Sequence, residues 1–467
     1  MLDADLLDRL IKAYDVRGVV PDDLSPEIAR LVGAAFVRVV GASTEAGGPG
    51  TVVVGRDMRP SGPALVAAFA EGVTSQGVDV LLIGLASTDQ LYYAAGSLDL
   101  PGAMFTASHN PAQYNGIKLC RTGASPVGQD TGLREIKRLV LEWSGTGIPA
   151  YDGPAGTVTE RDLLADYAAF LNALVPLGAS RHLSVVVDAG NGMGGHTVPA
   201  VLAGLPLAIT PLYFELDGTF PNHEANPIEP ENLRDLQAKV LETGADLGLA
   251  FDGDADRCFV VDEKGAIVDP STLTALIAVR ELGKHPGSVI IHNLITSAAV
   301  PEIVLEHGGV PERTRVGHSF IKARMAETGA VFGGEHSGHF YFRDFWRADS
   351  GMLAALHTLA ALGETPEGTT LSSLLAQYSR YAMSGEINTT VADQAAVVAQ
   401  ITAEYGARAG VELDELDGLT VSGDGWWFNV RPSNTEPLLR LNAEGKDAAT
   451  MQSVRDEALA IIRGGTA

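Results

Sequence analysis

Leu247-Gly-Leu-Ala-Phe251, followed at once by Asp252-Gly-Asp-Ala-Asp-Arg257, is the stretch that decides how this chain is read. The apolar pentad has the length and composition of a buried strand, so the loop after it lies at the carboxyl end of a strand, where open α/β sheets bind ligands. Asp252, Asp254 and Asp256 alternate, and an extended backbone would project their carboxylates from one side. Three carboxylates without His or Cys form a hard-oxygen set, suited to magnesium rather than zinc. A calcium EF-hand competes, because Glu263 falls at loop position 12 counted from Asp252. Position 6, however, is Arg257 instead of Gly, and the run follows a strand rather than a helix. The plain alternative is an acidic surface turn, against which three aligned carboxylates beside an arginine weigh.

Outward from this point, strand-like and helix-like segments alternate. Val52–Val54, Val80–Ile83, Val185–Val187 and Val289–Ile291 read as further buried strands. Ser25–Val40, Ser61–Gln76, Ser319–Thr328 and Gly351–Leu362 carry helical periodicity. Such alternation predicts an α/β fold with mainly parallel sheets. Gly, Pro and Ser concentrate in Ser144–Gly156, a Glu-Lys-Gly turn signal lies within Asp262–Pro270, and the α/β rhythm stops near Tyr378–Glu386, before a β-like run at Ile387–Val391. A chain of 467 residues divided there gives four units, expected at 1–152, 153–265, 266–380 and 381–467.

The composition restricts the function classes. Against 33 Lys and Arg stand 58 Asp and Glu, a formal charge of −25. That field repels phosphate backbones and anionic lipid, which argues against nucleic-acid and membrane-surface partners. An anionic ligand would need its cations gathered locally. Cys120 and Cys258 are the only cysteines, too few for a disulfide framework and without a CxxC zinc pattern. Met1–Leu10 carries three Asp and no basic leader region, and no apolar run nears the roughly 20 residues a membrane helix needs. A cytoplasmic location is expected.

Three more loops carry chemistry. Thr106-Ala-Ser-His-Asn-Pro111 follows the strand-like Ala103–Phe105 and offers Ser108 as a nucleophile in a tight turn, with Asn110 and Pro111 placed like the cap and first residue of a short helix. Alone it reads as a capped turn; beside a metal loop it reads as a phosphoryl acceptor. Gly333-Gly-Glu-His-Ser-Gly-His339 follows Ala330–Phe332 at an expected strand-to-helix junction, and Glu335 and Ser337, two apart, would face a polyhydroxylated ligand together. His336 and His339 read equally as metal ligands or solvated loop residues. Arg431-Pro-Ser-Asn-Thr-Glu-Pro437 gathers a guanidinium, two hydroxyls and an amide, a competent phosphate clamp. Gly190-Asn-Gly-Met-Gly-Gly195 fits the dinucleotide fingerprint, with Glu215 twenty residues past Gly195. Its strand sits mid-chain, however, and a carboxylate loop has no role in hydride transfer. The glycines therefore read as a tight strand-to-helix turn.

In this order, the loops resemble those of the α-D-phosphohexomutase family, in particular its bacterial phosphomannomutase/phosphoglucomutase branch. The resemblance covers essentially the whole chain, through Lys12–Gly18, Gly55–Ser61, Thr106–Pro111, Asn115–Lys118, Asp252–Arg257, Gly317-His318, Gly334–His339 and Arg431–Pro437. It implies three related α/β domains and a smaller α+β C-terminal domain around a central cleft. It implies an isomerase in which Ser108 is the phosphoserine and in which Asp252, Asp254 and Asp256, with a phosphoserine oxygen, hold Mg²⁺. Glu335 and Ser337 would grip sugar hydroxyls, and Arg431, Ser433, Asn434 and Thr435 would bind the phosphate not being transferred. Tyr14, Arg17, His109, Lys118, Arg257, His318 and His339 would surround the reacting oxygen, with Lys118 and His318 moving the proton.

The expected reaction interconverts hexose 1-phosphate and hexose 6-phosphate through glucose 1,6-bisphosphate or mannose 1,6-bisphosphate, which turns end for end between two transfers. Positioning and charge neutralisation supply the catalysis. Contacts from Glu335 and Ser337 to hydroxyls away from C2 would leave mannose and glucose undistinguished. A phosphoglucosamine mutase is the alternative, although that group typically has Gln where this chain has His336. A metal-dependent phosphohexose phosphatase would share the carboxylates, and a non-catalytic phosphosugar-binding protein would lack the intact Ser108-His109-Asn110-Pro111 run. A monomer or weak homodimer acting on a phosphohexose is expected.

Overall fold

The computed structural model describes residues 2–44, 47–48, 50–432 and 438–464. The β-branched runs form strands and the periodic segments form helices, most within two residues of the expected ends. Serine caps explain two helix starts: Ser25 Oγ accepts from Ile28 N ahead of Pro26–Val40, and Ser350 Oγ from Leu353 N ahead of Gly351–Gly363.

One compact unit comprises Met1–Pro270 and Ser337–Leu374, and a second comprises Ser271–His336 and Leu375–Ala467. The first unit contains a six-stranded sheet of β1 (Val16–Val19), β2 (Thr51–Arg56), β3 (Asp79–Leu85), β4 (Gly102–Phe105), β5 (Tyr114–Cys120) and β6 (Val158–Glu160), in the order β1-β5-β4-β2-β3-β6. Its five-stranded sheet comprises β7 (Leu183–Asp188), β8 (Leu207–Leu212), β9 (Leu247–Phe251), β10 (Cys258–Asp262) and β11 (Ile267–Val268), in the order β11-β10-β9-β7-β8.

Both sheets have parallel centres with antiparallel returns: β2 runs parallel to β3 and β4 while β5 returns along β4, and β7 runs parallel to β8 and β9 while β10 returns along β9. The β4–β5 and β9–β10 connections are the Ser108 and Asp252 loops, so the two candidate segments occupy equivalent places in two related sheets. Every residue of β4, β9 and β10 is buried, as expected for strands covered on both faces by helices. The helices Pro26–Val40 and Gly62–Thr74 approach closely because of glycine: a Cβ on Gly33 would lie 2.3 Å from the Phe69 carbonyl oxygen, and one on Gly72 2.0 Å from that of Arg30.

The second unit contains three parallel strands, with Val289–Asn293 between Val310–Thr314 and Phe332–Gly334. It also contains an antiparallel sheet from Ala382 to Gly445, backed by Gln394–Gly406 and Ala448–Ile462 over a core of Ile401, Tyr405, Phe428, Leu441 and Leu459.

Two features cross the expected boundaries, and one expectation differs. The sixth strand, Val158–Glu160, lies past position 152 yet pairs with β3. Residues 337–374 group with the first unit, because the wholly buried helix Gly351–Gly363 packs on β10: a Cβ on Gly351 would lie 2.6 Å from the Arg257 carbonyl oxygen. The Gly333–His339 segment leads from one strand, Phe332–Gly334, to another, Phe340–Phe342, and no helix follows it directly.

Candidate active site

The Ser108 loop is an irregular turn rather than the start of a helix. Ser108 has φ 48°, in the left-handed region, and the chain then returns as β5. Thr106 Oγ1 accepts from Ser108 N at 2.8 Å, and Ala107 O accepts from Asn110 N at 2.9 Å. Such a conformation costs of order 1–3 kcal/mol and persists only where the surroundings over-determine it. Here they include Arg59, whose guanidinium is fully buried and donates to the carbonyls of Ser108, Asn110, Pro111 and Tyr114 at 2.6–2.9 Å.

The carboxylate loop converges by a different route from the extended one its alternation implies. Ala255 has φ 59° and donates its N–H to the Asp252 carbonyl at 3.0 Å, so the segment is a tight turn. One ligand atom from each of Asp252, Asp254 and Asp256 nevertheless lies within 4.8 Å of the others, and all three residues are buried. Gly253 permits the loop to reach Ser108, since a Cβ there would lie 2.4 Å from the Ser108 carbonyl oxygen. The glycine-rich turn after β7 supports the loop from behind: Met193 N donates to Gly253 O at 2.9 Å, and Glu215 receives the Asn191 side chain on its backbone carbonyl. The EF-hand alternative fails on Glu263, whose carboxylate accepts from the Ser372 amide and hydroxyl.

Between the loops, Ser108 Oγ donates to Asp252 Oδ2 at 2.7 Å. Lys118 Nζ bridges Asp254 Oδ2 at 2.7 Å and Asp256 Oδ2 at 2.6 Å. The Oδ1 atoms of Asp254 and Asp256 are buried with no hydrogen-bond partner among the described residues. These free hard-oxygen atoms fit a divalent cation of the magnesium type. Burial and the neighbouring Asp256 and Asp254 raise the Asp252 carboxyl to about 8. Burial opposes the charge of Asp254 as well, but Lys118 and Thr88 outweigh it and hold that carboxyl well below the usual range. Lys118 is correspondingly held cationic: burial opposes its charge, while Asp254 and Asp256 raise it well above the ordinary lysine value.

His109 lies beside Ser108, its Nδ1 3.1 Å from Oγ and accepting from Arg257 Nη2 at 2.8 Å. Burial, with Arg257 and Arg17 nearby, holds this imidazole well below its normal value and keeps it neutral. Arg17 donates to Asn110 Oδ1 at 2.6 Å and pairs with Asp15. His339 forms a backbone bridge with Arg257, and its Nδ1 is 3.0 Å from Asp349 Oδ2. Burial and Arg257 lower its affinity for a proton, but Asp256 and Asp349 prevail and raise it. The preceding Gly338 has φ 82°, and a Cβ there would lie 2.4 Å from the Phe259 ring. Tyr14 and Ser337, both half-buried, also belong to this first unit.

In the second unit, Glu335 is buried and its Oε1 accepts from Asn293 Nδ2 and Gly317 N, both at 3.2 Å. His336 Nδ1 is 3.2 Å from the same Asn293 amide. Arg431 is held between Asp417 at 3.4 Å and Glu386 at 3.7 Å. His318 opens the helix His318–Thr328, and its side chain lies outside the described residues, as do Ser433, Asn434 and Thr435.

Several residues of the site carry no role in the sequence reading. Thr88 Oγ1 donates to Asp254 Oδ2 at 2.6 Å, Asp349 Oδ2 lies 3.0 Å from His339 Nδ1, and Arg59 threads the Ser108 loop. Arg59 stands in the quoted Gly55–Ser61 stretch, whose two arginines are indistinguishable until one is seen to be wholly buried. A separate cavity of about 490 Å³, lined by Arg56, Ile83 and Glu160 among others, contains none of the predicted site residues.

Comparison with known proteins identifies the family. Four consecutive segments match the phosphoglucomutase/phosphomannomutase alpha/beta/alpha domains I, II and III and the C-terminal domain, at residues 8–145, 165–265, 269–381 and 386–461. A phosphomannomutase of Salmonella montevideo is 39% identical over 459 residues, covering 97% of this chain and 98% of its own. A phosphomannomutase/phosphoglucomutase of Pseudomonas putida is 37% identical over 462 residues, covering 98% and 96%. The crystal structure of a phosphoglucomutase/phosphomannomutase family protein from Burkholderia thailandensis superposes with a TM-score of 0.87 at 32% identity, covering 100% of this chain and 99% of the other. Fold and family matches thus define a phosphohexomutase, built from three α/β domains and a C-terminal one. The chain belongs to the phosphoglucomutase/phosphomannomutase family. Among the described residues no helix is long and apolar enough to cross a membrane.

Proposed function

We propose that this mutase moves a phosphoryl group between O1 and O6 of mannose and glucose phosphates through phospho-Ser108 and a hexose 1,6-bisphosphate. The contact of Ser108 Oγ with Asp252 Oδ2 at 2.7 Å, beside a buried carboxylate cluster, carries the reading. It puts the acceptor oxygen next to the groups that would balance a phosphate. Asp252, Asp254 and Asp256 would hold Mg²⁺, which when bound offsets the charge of the phosphoryl group in transit.

Lys118, which lies against Asp254 and Asp256, and His318 are proposed to move the proton of the reacting oxygen. The two carboxylates hold the Lys118 proton tightly, so its release would require their charge to be engaged by a bound cation. Neutral His109 cannot supply that positive charge, so Arg17, Arg257 and His339 would neutralise the phosphate around the reacting oxygen, with Tyr14 beside them. Glu335 and Ser337 would grip sugar hydroxyls, and Arg431, with Ser433, Asn434 and Thr435, would clamp the distal phosphate. Arg17, Lys118, Arg257 and Arg431 would provide local cations in a chain of net charge −25. The proposed domains are 1–152, 153–265, 266–380 and 381–467. The proposed setting is a cytoplasmic monomer or weak homodimer.

A coupled assay with Mg²⁺ and a trace of glucose 1,6-bisphosphate tests this reading. Mannose 1-phosphate and glucose 1-phosphate, offered separately, should give 6-phosphates at comparable rates. Inorganic phosphate released from either, without 6-phosphate, would make the activity hydrolytic. Faster turnover of glucosamine 6-phosphate than of both hexose phosphates would change the substrate.

A further inference from the structure

The geometry points to Arg59 as a positioning residue that sets the nucleophile: its guanidinium holds Ser108 in the left-handed turn from which the phosphoryl group is passed on. This rests on the reading of Ser108 as the phosphoryl carrier. Arginine has five N–H donors in a rigid planar fork, and here every one is used. Nε donates to Asp57 Oδ2 at 3.2 Å, Nη1 to the carbonyls of Pro111 and Tyr114 at 2.8 and 2.9 Å, and Nη2 to those of Ser108 and Asn110 at 2.9 and 2.6 Å.

Four carbonyls of one seven-residue segment, 108–114, are thus drawn to a single cation. The cation is itself fixed from behind, because Asp57 Oδ1 accepts from Arg59 N at 2.9 Å and Asp57 N donates to Phe105 O at 2.9 Å. Phe220 covers the wholly buried guanidinium at 5.1 Å, and glycine at 218 lets the chain pass against the Arg59 backbone, where a Cβ would lie 2.7 Å from Arg59 Cα. The Ser108 carbonyl points at Nη2, which fixes the peptide plane after Ser108, while Thr106 Oγ1, accepting from Ser108 N at 2.8 Å, fixes the plane before it. Such an arrangement selects φ 48° at Ser108, a conformation a serine otherwise avoids. Arg59 touches neither Ser108 Oγ nor the carboxylates in any of these contacts. Its effect on the reaction is therefore to aim the serine, not to bind substrate.

Lysine retains the charge but presents three donors from one point, so it cannot serve four carbonyls and Asp57 together. In Arg59→Lys we expect kcat to fall about 100-fold, the cost of a misplacement near 1 Å, with KM for hexose 1-phosphate within about threefold. Transfer from ³²P-labelled phospho-enzyme to glucose 1-phosphate should slow by the same factor, while Mn²⁺ affinity read by paramagnetic resonance stays unchanged. A folding defect alone would lower the active fraction without slowing the single-turnover rate of what remains. Should Arg59→Lys not fold, Asp57→Asn turns the guanidinium by placing an amide N–H against one of its donors, and a roughly tenfold lower kcat at unchanged KM is expected. A wild-type transfer rate in a folded variant, or a loss confined to KM, overturns the assignment. Failure of the wild-type protein to take label on Ser108 overturns instead the reading of the nucleophile.

Discussion

The β4–β5 and β9–β10 loops occupy the same place in two related sheets, yet they are finished in opposite ways. In the first, polar groups are satisfied internally: four loop carbonyls face Arg59, and Ser108 Oγ has Asp252. In the second, two buried carboxylate oxygens, the Oδ1 atoms of Asp254 and Asp256, have no hydrogen-bond partner among the described residues. Both carboxylates are ion-paired with Lys118, but a buried oxygen left without a hydrogen bond is costly, and such atoms are suited to a ligand. The contrast separates a loop that holds one of its own side chains in place from a loop that is proposed to receive an ion. Lys118 neutralises one oxygen of each carboxylate and leaves the other without a hydrogen bond, with His339 Nδ1 3.8 Å from Asp256 Oδ1.

The contrast can be broken most severely at the nucleophile. Ser108→Ala leaves the clamped loop without its cargo, and turnover should fall on the order of 10⁴-fold or more, with substrate binding retained in a ligand titration. Residual turnover near wild type would show that the held side chain is not the carrier.

A second test concerns Asp89, a buried carboxylate near the second loop that belongs to the scaffold. Burial raises its pKa from 3.8 to about 6, although Ser350, Ser87 and Tyr167 all donate to it. The folded protein therefore holds this proton more tightly than the unfolded chain. That stabilisation is complete below pH 4 and is lost as pH rises through 6, a swing of about 3 kcal/mol. Urea unfolding of wild type and Asp89→Asn should show the variant gaining that amount relative to wild type between pH 4 and pH 7. Parallel curves would mean that Asp89 titrates normally.

The smallest effect is expected at Thr88, which donates to Asp254 Oδ2 without being a ligand. Thr88→Val should weaken Mn²⁺ binding by roughly tenfold, as loss of a supporting hydrogen bond does at metal sites. An unchanged affinity would place the cation elsewhere.

Much of this was legible in the sequence because it is local. Leu247–Phe251 and Val52–Val54 declare buried strands by composition, and the carboxylates and Ser108 stand directly after strands, where α/β sheets present their ligands. What escaped depends on the third dimension. The alternation of Asp252, Asp254 and Asp256 implied an extended strand end, whereas a left-handed Ala255 folds them together in a turn. Asn110-Pro111 had the chemistry of a helix start, but the carbonyls that a helix would use are committed to Arg59, more than fifty residues away. Nothing local marks Arg59, Thr88 or Asp349 as partners of distant groups. The grouping of residues 337–374 with the first unit follows from a wholly buried helix whose partners sequence does not name.

The central claim is that Ser108 carries the phosphoryl group between the two ends of a hexose. Its most direct test is a single-turnover experiment in which enzyme charged with ³²P from glucose 1,6-bisphosphate is mixed with unlabelled mannose 1-phosphate. The account predicts label on the Ser108 peptide at the start and its passage to hexose 1,6-bisphosphate at a rate no slower than kcat. Label that stays on the protein through many turnovers, or that leaves as inorganic phosphate at the catalytic rate, would contradict it.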